Sequence, residues 1–88
     1  MKKIDVKVLS KSGLHARPAS LFVNEAQKFA AEITIEKEGK AANGKSIIGI
    51  LSMAVAHGDQ LTICAEGNDE AEAVLALENL INVQLVHE

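Results

Sequence analysis

Apolar residues in this chain recur with two periods, and the switches between them lay out its elements. Ile4, Val6 and Val8 alternate with Lys3, Asp5 and Lys7, as in a strand with one buried and one wet face. Ala19, Phe22, Val23, Ala26 and Phe29 then follow helical spacing. They predict a helix to about Lys28, with Asn24, Gln27 and Lys28 on its polar side. Ile33 and Ile35 alternate with Glu32, Thr34 and Glu36 in a second strand, and Glu38-Gly39 reads as a hairpin turn into a short strand over Lys40–Asn43. After a turn at Asn43-Gly44, Ser46 is placed to cap a short helix beginning at Ile47. Another turn, Ala56-His57-Gly58-Asp59, leads into a strand in which Leu61, Ile63 and Ala65 alternate with Gln60, Thr62 and Cys64. Asn68 or Asp69 caps the last helix, Glu70 and Glu72 complement its dipole, and Ala71, Val74, Leu77, Ile81 and Leu85 form its buried stripe.

The resulting order is strand, helix, strand, strand, helix, strand, helix. Because each strand alternates, the expected class is α+β, an antiparallel sheet with helices on one face. This open-faced sandwich fits better than a parallel sheet buried on both sides. No repeat or linker interrupts the pattern, and residues 1–88 are expected to form one small domain.

The second helix departs from the usual amphipathic plan. Ile47, Ile48, Ile50, Leu51, Met53, Ala54 and Val55 put apolar groups on nearly every side, so the segment is either buried all round or exposes a sticky patch. Full burial is hard to arrange in so short a chain, which favours partial exposure as a partner surface. Gly49 argues against a long regular helix there.

The chemistry concentrates in Ser12-Gly13-Leu14-His15-Ala16-Arg17-Pro18-Ala19. Gly13 permits a sharp turn and Pro18 fits a first helical turn, so His15 falls at or near the N-cap. Unpaired backbone N–H groups and the positive end of the macrodipole meet there, and Arg17 adds a planar fork of donors. Such an arrangement suits an anion, above all phosphate. The same field disfavours the imidazolium, so a neutral, nucleophilic His15 is expected. The plainer alternative makes His15 a polar cap and nothing more. Ser46 likewise has two readings, a helix cap or a phosphorylation site whose charge would alter a surface formed by Ile47, Ile48 and Leu51.

Composition removes several other classes. Net charge is -3 and neither Trp nor Tyr is present to stack on bases, so nucleic acid is not an expected partner. One cysteine, Cys64, excludes an intrachain disulfide and suits a reducing, cytoplasmic setting; it reads as an ordinary sheet residue facing away from the core. No run is long enough for a signal peptide or a membrane span, and no membrane insertion is expected. His15, His57 and His87 match no ligand spacing, and Arg17 would repel a cation, so no metal is expected; His57 and His87 read as solvent-facing. A Cys64–His15 nucleophile pair has no support either. Without a Gly-rich nucleotide loop, a kinase signature or paired acids for Mg²⁺, the chain is not expected to be an enzyme or to hold a cofactor; a phosphoryl group would have to come from another protein.

Gly13-Leu14-His15-Ala16-Arg17-Pro18-Ala19 and Lys45-Ser46-Ile47-Ile48-Gly49, at their separation, make the chain similar to the HPr family. These are the histidine-containing phosphocarriers of the bacterial phosphoenolpyruvate-dependent sugar phosphotransferase system. The resemblance covers essentially the whole chain and implies four antiparallel strands with three helices on one face. It implies that His15 takes a phosphoryl group on Nδ1 from enzyme I and passes it to IIA proteins or domains, with Arg17 steadying the group. It further implies that Ser46 is the target of an HPr kinase/phosphorylase, giving a corepressor for a catabolite control repressor. Ala16, Ser20, Ile47, Ile48 and Leu51 match a partner-docking surface, and a monomer is expected. A related regulatory paralogue lacks the active histidine, so His15 argues for the carrier. Met53-Ala54 and Gly44 depart from the commoner family pattern of a Leu-Gly pair and a larger residue before Lys45.

Overall fold

The computed structural model describes residues 1–87 without the His87 side chain, so the expected exposure of His87 lies outside the described residues. Strands β1 (Lys2–Lys7), β2 (Glu32–Lys37), β3 (Lys40–Asn43) and β4 (Gln60–Glu66) form one antiparallel sheet in the order β1-β4-β2-β3. Helices α1 (Ala16–Ala26), α2 (Ile47–Ser52) and α3 (Glu70–Asn79) alternate with them as the periodicity predicts. Register explains why one face is covered. Ile4, Ile63, Ile35 and Ala42 stand in one row across all four strands, with Val6 opposite Leu61 and Ile33 opposite Ala65 on the same side. Phe22, Val23 and Ala26 of α1, Ile50 of α2, and Val74 and Leu77 of α3 close the core over that face. The other face carries Asp5, Thr62 and Glu36 in register, and Thr62 Oγ1 donates to Asp5 Oδ1 at 2.6 Å.

Cys64 lies on this outer face yet is only 6% exposed, sheltered in the row of Lys3 and Thr34. Burial, with the Glu36 carboxylate nearby, raises its thiol pKa. It therefore resists becoming a thiolate, in keeping with an ordinary sheet residue.

The third helix corrects two details of the sequence reading. Ala71 is exposed, whereas Ala73, Val74, Leu77, Leu80, Ile81 and Leu85 are buried. After Asn79 the backbone widens into a π-helical turn, Leu80–Gln84, and then a 3-10 turn, Leu85–His87; the Leu85 N–H bonds to Leu80 O and the side chain stays in the core. Asp69 is the N-cap residue, but its side chain makes no bond to its own helix. Its carboxylate instead accepts from Ala30 N at 2.8 Å and Ala31 N at 2.9 Å, where the chain leaves α1 for β2. Glu70 takes the local role, accepting from Gly67 N at 3.2 Å.

Two loops remain, and they are laced together. Val8 N donates to Asp59 O at 2.8 Å, Gly58 N to Val8 O at 2.7 Å and Leu14 N to Val55 O at 3.0 Å. His57 Nδ1 lies 3.1 Å from Ser10 O, and the buried Ser10 hydroxyl donates to Gly13 O at 2.7 Å. Gly13 is required twice over, because its φ is 66° and a Cβ there would sit 2.2 Å from Val55 O. Ala54 has a φ of 52°, an αL conformation that a side chain disfavours.

Two outcomes follow from this packing. The bonds from Ala30 and Ala31 hold the Asp69 carboxyl below its ordinary pKa, so the native state binds fewer protons than the unfolded one in acid. Asp69→Asn is expected to lower the thermal midpoint at pH 7. The gap from wild type should close as pH falls through the native carboxyl pKa, as followed by circular dichroism. Ala54→Gly relieves about 1–2 kcal/mol of left-handed strain against roughly 0.5–1 kcal/mol of extra chain entropy, so urea titration should show a gain of about 0.5–1 kcal/mol.

Candidate functional site

His15 is the N-cap of α1, with φ -79° and ψ -166°, and its carbonyl accepts the first helical bond from Ala19 N at 2.8 Å. Its ring makes no capping bond to the helix, so the polar-cap alternative loses its physical basis. What fixes the residue is the backbone on either side of it. Leu14 is 3% exposed and tied to Val55, while Pro18 and Ala19 bury the first turn of α1. The imidazole is left exposed on a rigid base.

The surroundings suit a group carrying negative charge. Pro18 has no N–H, so the Ala16 and Arg17 amides, and that of Ala19 bonded to His15 O, constitute the opening turn; no acidic side chain stands in it to neutralise the dipole. Arg17 is exposed two residues beyond the cap. Beside His15 lies an open hollow of about 530 Å³ whose rim includes Lys11, Ser12, Leu51, Ala54 and His57. Arg17 is not among the lining residues of the hollow. His57 was expected simply to face solvent. It is exposed, but its ring also ties to Ser10 and shares the hollow with His15, a pairing produced by the loop lacing and invisible to local sequence. Among the described residues no group of three or more His, Cys, Asp or Glu side chains is placed to hold a metal ion, and no helix is long and apolar enough to cross a membrane.

The second motif lies at the start of α2. Ser46 is its N-cap, and Ser46 Oγ accepts from Gly49 N at 3.0 Å. Gly49 fits this closeness, since a Cβ there would meet Ser46 Oγ and Asn43 O tightly, both at 3.3 Å. Ile50 is fully buried, whereas Ile48 is 81% exposed and Ile47 and Leu51 are 40% exposed each. The helix is therefore apolar all round because one side faces the core and the other forms a patch. Ile47 and Leu51 are one turn apart on α2, as Ala16 and Ser20 are on α1, and the two helices pack against each other. Leu51 reaches the hollow beside His15, so the patch and the His15 site are continuous.

Lys37 and Asp59 form an ion pair near the site that the sequence reading missed. Lys37 Nζ pairs with Asp59 Oδ2 at 2.8 Å and donates to Ala54 O at 3.0 Å, beneath the loop that lines the hollow. Mainly this bond to Lys37, with a second from the Ala56 amide, holds the Asp59 carboxyl below its ordinary pKa. No local pattern marks either residue, because the strand end and the turn meet only in the folded chain.

Comparison with known proteins points the same way. The family described as "PTS HPr component phosphorylation site" matches residues 2–83. The HPr-like protein Crh of Halalkalibacterium halodurans is 54% identical over 76 residues, 86% of this chain and 88% of its own. A crystal structure of HPr-C-His from Thermoanaerobacter tengcongensis superposes with a TM-score of 0.95 at 46% identity, covering 100% of this chain and 99% of that one. The phosphocarrier protein HPr from Bacillus anthracis gives 0.88 at 50% identity over 91% and 95% of the two chains. A match that runs from β1 into the last helical turns, on the same open-faced sheet, leaves one assignment: this chain belongs to the HPr family.

Proposed function

We propose that this protein is a phosphoryl carrier whose working nucleophile is His15. It receives a phosphoryl group from phospho-enzyme I and hands it to IIA sugar-permease components in the cytoplasm. The observation that carries this reading is His15 itself: an exposed imidazole at the head of α1, without a capping bond, on a base fixed by Leu14 and Pro18. In the transfer, a ring nitrogen of His15, Nδ1 by family resemblance, forms a bond to phosphorus as the bond to the donor breaks. The oxygens of the new phosphoryl group are then met by the first-turn amides and by Arg17. No cofactor takes part and the chain catalyses no turnover of its own; the donor and acceptor proteins supply the machinery.

Docking would use the patch of Ala16, Ser20, Ile47, Ile48 and Leu51. Burying Ile48 against a partner contributes about 1.5–3 kcal/mol, so even a transient complex needs the rest of the patch as well. A monomer that meets its partners in turn fits this surface.

A second role is favoured by Ser46 and by the similarity to a Crh protein. Phosphorylation by an HPr kinase/phosphorylase would place a charge of about -1.5 to -2 beside Ile47 and Leu51. That charge opposes an apolar docking partner and offers a new anionic contact to a catabolite control repressor. The two roles are compatible in one chain, since the two side chains stand on different helices.

Intact-mass analysis after incubation with enzyme I, Mg²⁺ and phosphoenolpyruvate tests the carrier reading. One phosphoryl addition that mild acid removes is expected for wild type and none for His15→Ala; an equal addition to His15→Ala overturns the assignment. For the regulatory role, Ser46→Asp should slow phosphoryl acceptance at least about tenfold, roughly 1.4 kcal/mol in the barrier, while Ser46→Ala stays near wild type. Equal rates for the three chains would remove Ser46 from the docking surface.

A further inference from the structure

The loop of residues 53–59 lines the hollow beside His15 and supplies Val55 O, the acceptor for Leu14 N. It holds an awkward shape, with Ala54 at a φ of 52° and no side chain suited to that conformation. Strain of this kind persists only where the surroundings impose it. The imposing group is on another element. Lys37, the last residue of β2, has a side chain only 14% exposed. Its Nζ donates to Ala54 O at 3.0 Å, more weakly to Met53 O at 3.4 Å, and pairs with Asp59 Oδ2 at 2.8 Å. Asp59 Oδ2 also accepts from Ala56 N at 2.8 Å, so one ammonium gathers both ends of the loop.

We infer that Lys37 is a positioning residue for His15: it clamps the 53–59 loop to the end of β2, and the loop in turn holds Leu14, and so the N-cap of α1, in register. The chain of contacts runs from Lys37 Nζ to Ala54 O, through the next peptide to Val55 O, and across to Leu14 N. Lysine has the reach for this and three donors to spend on two carbonyls and a carboxylate. The polar partners of Lys37, Met53 O, Ala54 O and Asp59 Oδ2, belong neither to the docking patch nor to His15. Loss of Lys37 should therefore alter how His15 is presented without weakening the partner surface. The inference rests on the carrier reading for its functional part, but its structural part can be tested without phosphotransfer.

The experiment compares wild type, Lys37→Met and Lys37→Arg by amide NMR and by enzyme I-dependent phosphorylation at varied carrier concentration. Lys37→Met keeps the stem and removes the donors. It is expected to move the Leu14 and His15 amide resonances, although they lie 22 or more residues away in sequence, and to lower kcat about tenfold with KM within about twofold, since small misplacements at a reacting centre are costly. Lys37→Arg should restore both. Changes confined to residues 53–59, with kcat unaltered, overturn the inference. So does an equal fall in rate for both variants with unmoved Leu14 and His15 resonances. If Lys37→Met does not fold, Asp59→Asn, which weakens the ion pair and keeps the carbonyl bonds, must move the same resonances by a smaller amount, and unmoved resonances overturn the clamp. A wild-type chain that accepts no phosphoryl group refutes the carrier reading instead, and the resonances alone then decide the clamp.

Discussion

The hydrogen bond from Leu14 N to Val55 O, made across the bare Cα of Gly13, is the constraint on which the site depends. Val8 and Ser10 are also tied to the 53–59 loop, but this bond is the last fixed point before α1 begins. With it, Leu14 is pinned in the core on one side of His15 while Pro18 and Ala19 are pinned on the other. The exposed residues His15, Ala16 and Arg17 are thereby held between two buried anchors. In the proposed carrier role an imidazole fixed in this way would need no cleft: partners could approach from solvent, and the start of a helix is where a phosphoryl group is favoured.

The same economy governs α2. A helix of six residues cannot stabilise itself, and its place is secured by Ile50 in the core, the Ser46 cap and the packing against α1. With those contacts made on one side, Ile47, Ile48 and Leu51 stay exposed on the other. In the proposed docking role, Leu51 at the hollow would bring a partner of this patch to His15.

Much of this was legible in the sequence, for reasons that differ from element to element. The strands were legible because the sheet is covered on one face only, so Ile33 and Ile35 had to alternate with polar neighbours. The caps at His15 and Ser46 were legible because Gly13, Pro18 and the Asn43-Gly44 turn punctuate the chain locally. Contacts made at long sequence range were not. Asp69 is the N-cap residue of its helix, but its carboxylate satisfies Ala30 and Ala31, 38 or 39 residues away, and not the helix itself. Nothing local marked Lys37, and His57 read as solvent-facing; only the folded loops show one bonded to Ala54 O and Asp59 and the other sharing a hollow with His15. Ala71 misled because Ala73, which also fits a helical period, takes the inward place.

The central claim is that the head of α1 receives the phosphoryl group carried by His15. Amide NMR of the chain phosphorylated by enzyme I tests it most directly. The account predicts that the Ala16 and Arg17 amide protons show the largest downfield shifts in the molecule, as new bonds to the phosphoryl oxygens form. An acid-labile adduct on His15 that leaves those two amides unmoved, or an adduct on another residue, would contradict it.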